Sequence, residues 1–563
     1  MALATVTALT SAESEAAVVL PVHHSIVGSR DTPGRAGRRA VVSPADGRAF
    51  AEVSLLDRAE AGFALESARA AFASWSRLSF VERGRYLLRL RDVVLEEAKA
   101  LAALIAREQG KPVPEAHAVE IFPALETLKY LALHAEDVLR DDPVESQVLL
   151  FAQKDCRLVY EPYGVVLVVT PWNYPFFLAL SGVAEALAAG NTVVLKPAPS
   201  TTLVGLRIGE MGRKAGLPEG VLNVVSVDDE GAAALVDDPR VSKIVFTGSV
   251  ATGKKILAAA AQNLTPVVLE LGGKDAAVVC RDADLDRAAR GIVWGAFLNA
   301  GQTCASVERV YVEQAVAESF LARVVAETKK LRLGDPAQPG VDVGPMTLDR
   351  QRRIVEDHVA DARARGAKVL TGGEVPEGPG TFYPPTVLAG VDHSMRIMRE
   401  ETFGPVLPVM AVESLDEALR LANDSEYGLT ASGWTRDPQT AARLQRELSA
   451  GVVTINDCVS SCGEPSAPWG GYRKSGLGRV HGLAGLREMV QVKYVSHELG
   501  SRPAPWWFPY DHEYARMMGV HNRALHARSF LTRALNQLRL LAFPRFWRRA
   551  SLGAILRNLD KLF

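Results

Sequence analysis

The chain has 563 residues, enough for more than one domain and a large core, and its 48% hydrophobic and 23% charged residues are the balance of a water-soluble globular protein. A net charge of −1 excludes an electrostatic case for nucleic-acid binding by the chain as a whole. Five cysteines, Cys156, Cys280, Cys304, Cys458 and Cys462, are too few and too odd in number for a disulfide framework and read as free thiols of a reducing compartment.

Residues 1–20 lack an early basic residue, and Glu13 and Glu15 interrupt their apolar stretch, so no signal peptide is expected. Residues 1–41 read as a flexible lead, basic and rich in glycine over 29–39. Over 58–109 the apolar residues fall at helical spacing, as with Ala68, Ala71 and Phe72, then Leu87, Leu88, Leu90 and Val94. Gly110 and Pro112 close that stretch. Ser146–Phe151 and Cys156–Tyr160 are expected as two strands of a hairpin. A strand and helix alternation follows, with strands at Val165–Val169, Asn191–Leu195, Val221–Val225 and Lys243–Phe246. The helices between them are expected over 178–188, 202–215 and 230–236. Repeated β–α–β units predict a doubly wound sheet that binds a ligand at the carboxyl ends of its strands. A second β/α series runs from 273 to about 480, with strands Ala276–Cys280, Val307–Val312 and Gly451–Asn456 and helices over 284–298 and 315–330. The two domains meet near 270–275, where pockets tend to form.

Cys304 follows Asn299-Ala300-Gly301-Gln302-Thr303. Its neighbours Gln302, Thr303, Ala305 and Ser306 are small or polar, unlike the surroundings of a core cysteine. Glu270 ends the apolar run Pro266–Leu269 and precedes Gly272-Gly273. A carboxylate there can swing and lose solvation, which raises its pKa toward that of a useful base. Thiol and carboxylate together are the parts for covalent attack on a carbonyl followed by hydrolysis. Asn173, in Thr170-Pro171-Trp172-Asn173, lies just past a buried strand and taken alone reads as a helix cap. In Phe246-Thr247-Gly248-Ser249, Gly248 lets the backbone turn closely and Ser249 can bond a phosphate at a helix N-terminus. Cys156, Cys280, Cys458 and Cys462 read as structural. No metal site is expected, because no second pair of ligands follows Cys458 and Cys462 at zinc spacing.

These runs resemble the aldehyde dehydrogenase superfamily, of the NAD(P)-dependent, non-acylating type, over residues 42–496. Leu269–Lys274, Leu195–Ser200, Glu400–Pro405 and Pro468–Arg479 carry the likeness further. The resemblance implies an α/β protein with a doubly wound, Rossmann-like NAD(P)-binding domain over 42–146 and 164–272. It further implies a second α/β catalytic domain over 273–483 and a small β oligomerisation element over 147–163 and 484–496. Cys304 would be the nucleophile and Glu270 the base. Asn173 and the Cys304 N–H would form the oxyanion hole, each donor worth about 3 kcal/mol. Cofactor contacts, to NAD or NADP, are implied for Thr170, Pro171, Trp172, Lys196, Pro199, Gly248, Ser249, Gly272, Glu401 and Phe403. Lys196 would meet the adenosine ribose and Glu401 the nicotinamide ribose. Phe177, Phe297 and Trp469 are expected to line an apolar tunnel for a small-molecule aldehyde. The loop Asp457–Ala467, which has no Arg or Lys, would border that tunnel, disfavouring substrates with a distal carboxylate.

Two positions depart from the family pattern. Pro199 stands where many members have a glutamate, which opens the site to NADP. Gly182 stands where some members have a lysine, which implies a different handling of protons. A homodimer or homotetramer is expected. A coenzyme A-acylating enzyme is the runner-up, and Glu270 argues against it. A non-catalytic, membrane-associated scaffold of the same fold is a third reading, opposed by the joint presence of Cys304, Glu270 and Asn173.

The tail, 497–563, is a basic amphipathic extension. Leu531, Ala534, Leu535, Leu538, Leu541 and Ala542 share one helical face, and Leu552, Ile555, Leu556, Leu559, Leu562 and Phe563 share another beyond Pro544. Arg528, Arg539, Arg548, Arg549 and Arg557 lie elsewhere. Such helices suit a membrane surface, or equally the protein body or a partner subunit. No run of about 20 apolar residues predicts a membrane span. The expected location is the cytoplasm, with a peripheral contact at a membrane as the alternative.

Overall fold

Five strands without a charged side chain except at their ends build the first sheet of the computed structural model. In sheet order they are Val267–Glu270, Lys243–Thr247, Val165–Val169, Thr192–Lys196 and Leu222–Val224, all parallel. Burial on both faces explains why each reads as an apolar run rather than an alternating one. Antiparallel Gly476–Leu477 extends one edge, and Ser25–Val27 with Arg30–Thr32 the other. The strand order reverses between Val165–Val169 and Lys243–Thr247, so a crevice opens beyond their carboxyl ends, at Thr170 and Gly248. Residues 20–146, 151, 154–499, 504 and 506–544 are described.

Helices cover this sheet for reasons visible in their sequence. Asp57 and Ser79 open Arg58–Trp75 and Phe80–Gln109 with reciprocal capping boxes to Glu60 and Glu82. Gly110, at φ 102°, ends the second of these in the left-handed conformation. Between the strands run Phe177–Ala188, Thr202–Lys214 and Asp229–Val236, each within a residue or so of its expected bounds.

The second sheet holds seven strands in the order Lys368–Thr371, Thr386–Ala389, Val406–Val412, Val307–Glu313, Asp275–Val279, Thr430–Trp434 and Val452–Ile455, all parallel but the first. Leu285–Phe297 and Gln314–Thr328 pack against it through Ile292, Phe320 and Val324.

Contacts divide the chain into two units, Met1–Glu136 with Pro162–Met489, and Asp137–Glu161 with Val490–Phe563. Both large sheets belong to the first. In the second, Val490–Glu498, Lys154–Pro162 and Asp142–Pro143 form a small sheet. Helices His512–His526 and Phe530–Leu540 pack on each other through Met517, Ala524 and Leu540.

The fold corrects two expectations and shows which residues the tail helix buries. Residues 22–42, expected as part of a flexible lead, hold four short strands, because Ile26 and Val41 find buried places despite the glycines and arginines around them. The partner of Lys154–Pro162 in the small hairpin is Asp142–Pro143, while most of the expected strand Ser146–Phe151 lies outside the described residues. The leucine face of Phe530–Leu540 is exposed, with Leu531 at 76% and Leu538 at 66%, and the residues it buries are Asn536 and Leu540. The second leucine face, 552–563, lies outside the described residues.

Candidate active site

Asn299 and Ala300, at φ 55° and 53°, and Gly301, at 71°, form a left-handed turn before Cys304. Two non-glycine residues in that region cost about 1–3 kcal/mol each, and packing must hold them there. A Cβ on Gly301 would lie 2.2 Å from the Gly404 carbonyl, so glycine lets the cysteine loop press on the 401–405 segment. The Asn299 side chain donates to the Asn173 carbonyl at 2.8 Å and accepts from Gln109 at 2.8 Å. The Asn173 amide in turn donates to the Gln302 carbonyl at 2.9 Å. The expected nucleophile and oxyanion residue are therefore tied together by buried amides.

Cys304 and Glu270 both face two cavities. The first, about 920 Å³, is lined by Thr170, Pro171, Trp172, Asn173, Lys196, Pro199, Gly248, Ser249, Gly272, Glu401 and Phe403. Every residue expected to hold the cofactor thus borders one groove at the switch point of the first sheet. The second, about 820 Å³, is lined by Phe177 and Trp469 among mostly apolar neighbours, and by Val459, Ser460 and Cys462–Ser466 of the expected loop. Phe297 does not line it. It is buried beneath the turn against Ala277, Val293 and Val307, because the helix ends there and turns its last aromatic into the core. Cys462, expected to be structural, lines this cavity and packs in the same cluster as Cys304.

Burial shapes the chemistry. Glu270 is 4% exposed, and among the described residues neither carboxylate oxygen has a hydrogen-bond partner. Its pKa is raised well above the usual carboxylate value, chiefly by desolvation, with Arg479 opposing and Glu185 adding to the shift. The Cys304 thiol is likewise pushed well up, first by burial and then by Cys462, Asp275, Glu401 and Glu270. All five cysteines are free.

The groove fits a dinucleotide. A Cβ on Gly272 would meet the Glu401 carboxylate at 2.3 Å, so glycine alone leaves that carboxylate its place. Glu401 accepts the Gly273 N–H at 3.1 Å. The Trp172 and Phe403 rings meet edge to face at 5.5 Å. Lys196 stands at a strand end and its pKa falls to about 8, through burial first and Arg39 second. Ser249 caps Val250–Ala260, its hydroxyl accepting the Thr252 N–H at 3.3 Å, which leaves the helix N-terminus turned to the groove.

Sequence reasoning missed the groups that hold these residues. Lys111 and Glu120, both fully buried, pair at 2.7 Å. Lys111 donates to the Asn173 carbonyl at 3.1 Å, and Glu120 accepts the Phe176 and Phe177 N–H groups. Glu308 pairs with Lys274 at 2.6 Å and accepts the Thr402 and Phe403 N–H groups, fixing the loop that carries Glu401. Charged residues inside an otherwise apolar strand, as in Val307-Glu308-Arg309-Val310, were the available signal.

A doubly wound domain joined to a second α/β domain, with one thiol facing both a nucleotide-sized groove and an apolar cavity, is the layout of a two-domain oxidoreductase. The model of the aldehyde dehydrogenase family matches residues 32–495, and the chain belongs to that family. A 4,4'-diapolycopene aldehyde oxidase of Methylomonas sp is 39% identical over 514 residues, covering 90% of this chain and 95% of that protein. Among solved structures, an NAD-dependent aldehyde dehydrogenase from Sinorhizobium meliloti is 36% identical with a TM-score of 0.83, covering 87% of this chain and 97% of that one. An NADP-dependent enzyme of E. coli is 33% identical with a TM-score of 0.82, covering 85% and 98%. The chain is accordingly an aldehyde dehydrogenase, an oxidoreductase acting on the aldehyde group.

Proposed function

We propose that this chain oxidises a large apolar aldehyde to its carboxylic acid through a thioester on Cys304, using NAD or NADP. One observation carries the reading: Cys304 and Glu270 are the ionisable pair facing both the groove and the apolar cavity. Glu270 is the base of the hydrolytic step. The Cys304 thiol loses its proton to solvent, and the sulfur adds to the carbonyl carbon. The Asn173 side chain, held through Gln302 and Asn299, would donate to the developing alkoxide. The dinucleotide, when bound, supplies a hydride acceptor. Glu401 and Lys196 would hold its two riboses, and the helix N-terminus at Ser249 its phosphates. Glu270 then takes a proton from water that attacks the thioester carbon, the carbon–sulfur bond breaks, and the acid leaves.

The apolar walls of the second cavity favour a hydrocarbon-rich substrate, in keeping with the diapolycopene aldehyde named for the Methylomonas relative. Aldehydes of graded chain length, followed by NAD(P)H absorbance, test this: kcat/KM should climb with apolar length, and a preference for short or carboxylated aldehydes would overturn it. The small sheet has exposed edges of the kind that pair with a second copy, which supports a dimer or tetramer. Light scattering should find a multiple of the 60.7 kDa chain, and a lone monomer would reject the assembly. The exposed leucine face of Phe530–Leu540 supports a peripheral membrane contact.

A further inference from the structure

The wall of the apolar cavity contains a buried polar pair that the mechanism above does not use. Glu185, in the helix Phe177–Ala188, and His481, just before the helix Gly482–Glu488, both line it. They are 1% and 3% exposed. Glu185 Oε1 accepts the His481 backbone N–H at 2.9 Å and lies 3.4 Å from the ring Nδ1. Among the described residues, the other Glu185 oxygen and both ring nitrogens have no hydrogen-bond partner. The ring is stacked on Phe177 at 5.7 Å, 5° from parallel. Buried polar atoms in a native protein are nearly always satisfied, and a cluster of exceptions on the wall of a reaction cavity calls for a role.

Glu270 supplies the need. Each hydrolysis leaves a proton on its carboxyl, and among the described residues neither of its oxygens has a hydrogen-bond partner to take that proton. We infer that Glu185 and His481 form the acceptor that empties Glu270 after each turnover and passes its proton toward solvent at the cavity mouth. Glu185 lies one helical turn beyond Gly182, where a lysine is missing, and both residues border the same cavity. The mouth is open, since its lining residues Phe122 and Leu133 are each 58% exposed. The step is proton transfer alone. The carboxyl O–H of Glu270 breaks, its proton crosses the cavity through solvent to the Glu185 oxygen or a His481 nitrogen, where the new bond forms, and Glu270 returns to the carboxylate. The ionisable groups acting on Glu270 are Arg479, Glu185, Cys304 and Cys462. The pair acts through Glu270, so its role is to position and hand on that group's proton.

The inference rests on Glu270 as the base. The test compares wild type, Glu185→Gln, His481→Gln, Glu185→Asp and Glu270→Gln, with circular dichroism as the check on folding. Single-turnover NADH formation should stay within about twofold in Glu185→Gln and His481→Gln, while kcat falls about tenfold. Added imidazole, a small proton carrier, should restore turnover in these two variants and not change the wild type. Glu185→Asp, which keeps the carboxylate, should regain most of the rate. Removing the Glu185 charge should also move the acid limb of the kcat profile to lower pH. Full turnover in Glu270→Gln would overturn the base assignment itself. A slow Glu270→Gln beside wild-type kcat and pH profile in Glu185→Gln and His481→Gln would overturn the relay alone. So would a fall in single-turnover rate that matches the fall in kcat, because it would place the pair in acylation or in the fold.

Discussion

Cys304 and Glu270 share a difficulty, because desolvation holds the proton on both. Catalysis needs the thiolate and the carboxylate, so the rate must rise with pH through the raised value of Glu270. The acid limb of kcat should therefore lie well above the ordinary carboxylate range of about 4, and a plateau already reached at about pH 5 would refute it. Cys304→Ala should abolish oxidation, and retained steady-state activity would remove the nucleophile assignment. Glu270→Gln should slow deacylation by about 10²–10⁴ while the first turnover of NAD(P)H survives as a burst. At the other end of the groove, Pro199 offers no carboxylate to repel a 2′-phosphate, and Arg39 and Lys196 border the same space. Measurable use of NADP is expected, and Pro199→Glu should bias kcat/KM toward NAD. An NADP efficiency below detection in the wild type would count against this. These residues were legible because each stands in a short run of small or glycine residues that reads unlike a core strand and resembles the family's pattern. Phe297 was misplaced for the opposite reason, since an aromatic at a helix end reads the same whether it faces a cavity or a core.

At the scale of elements, the parallel strands were legible because burial on both faces leaves an unbroken apolar signature. The short N-terminal strands were not, because two or three residues carry too little pattern to outweigh neighbouring glycine and arginine. The supports of the site were hidden for another reason: Lys111 and Glu120 meet only because a π-helical turn at His117–Ile121 brings Glu120 inward. That pair joins the end of the Phe80–Gln109 helix to the start of Phe177–Ala188, and it braces Asn173 on the way. Lys111→Met would leave Glu120 buried without its cation, a loss of about 3–5 kcal/mol of stability. Denaturant unfolding should show that loss, together with reduced kcat from a loosened oxyanion site. A change within about 0.5 kcal/mol would mean the pair contributes little.

For the whole molecule, the open question of function is what reaches the apolar cavity. No helix among the described residues is long and apolar enough to cross a membrane. The helix Phe530–Leu540 nevertheless exposes Phe530, Leu531, Leu535, Leu538 and Leu541, an apolar face that costs free energy in water. Arg533 and Arg539 lie on the same helix, and Arg528 just precedes it. Exposed Trp507, Phe508 and Tyr510 stand ahead of the two tail helices, residue types that favour the headgroup boundary. A surface of leucine and arginine binds anionic bilayers through area and charge together, so binding should weaken as salt rises. The full chain should float with vesicles containing anionic lipid at low salt, and a chain ending at Ser501 should not. Leu531→Glu with Leu538→Glu in the full chain should abolish flotation without altering activity on a short soluble aldehyde. Equal flotation of the full and shortened chains would remove the tail from membrane binding and leave the apolar cavity as the only argument for a lipid-like substrate.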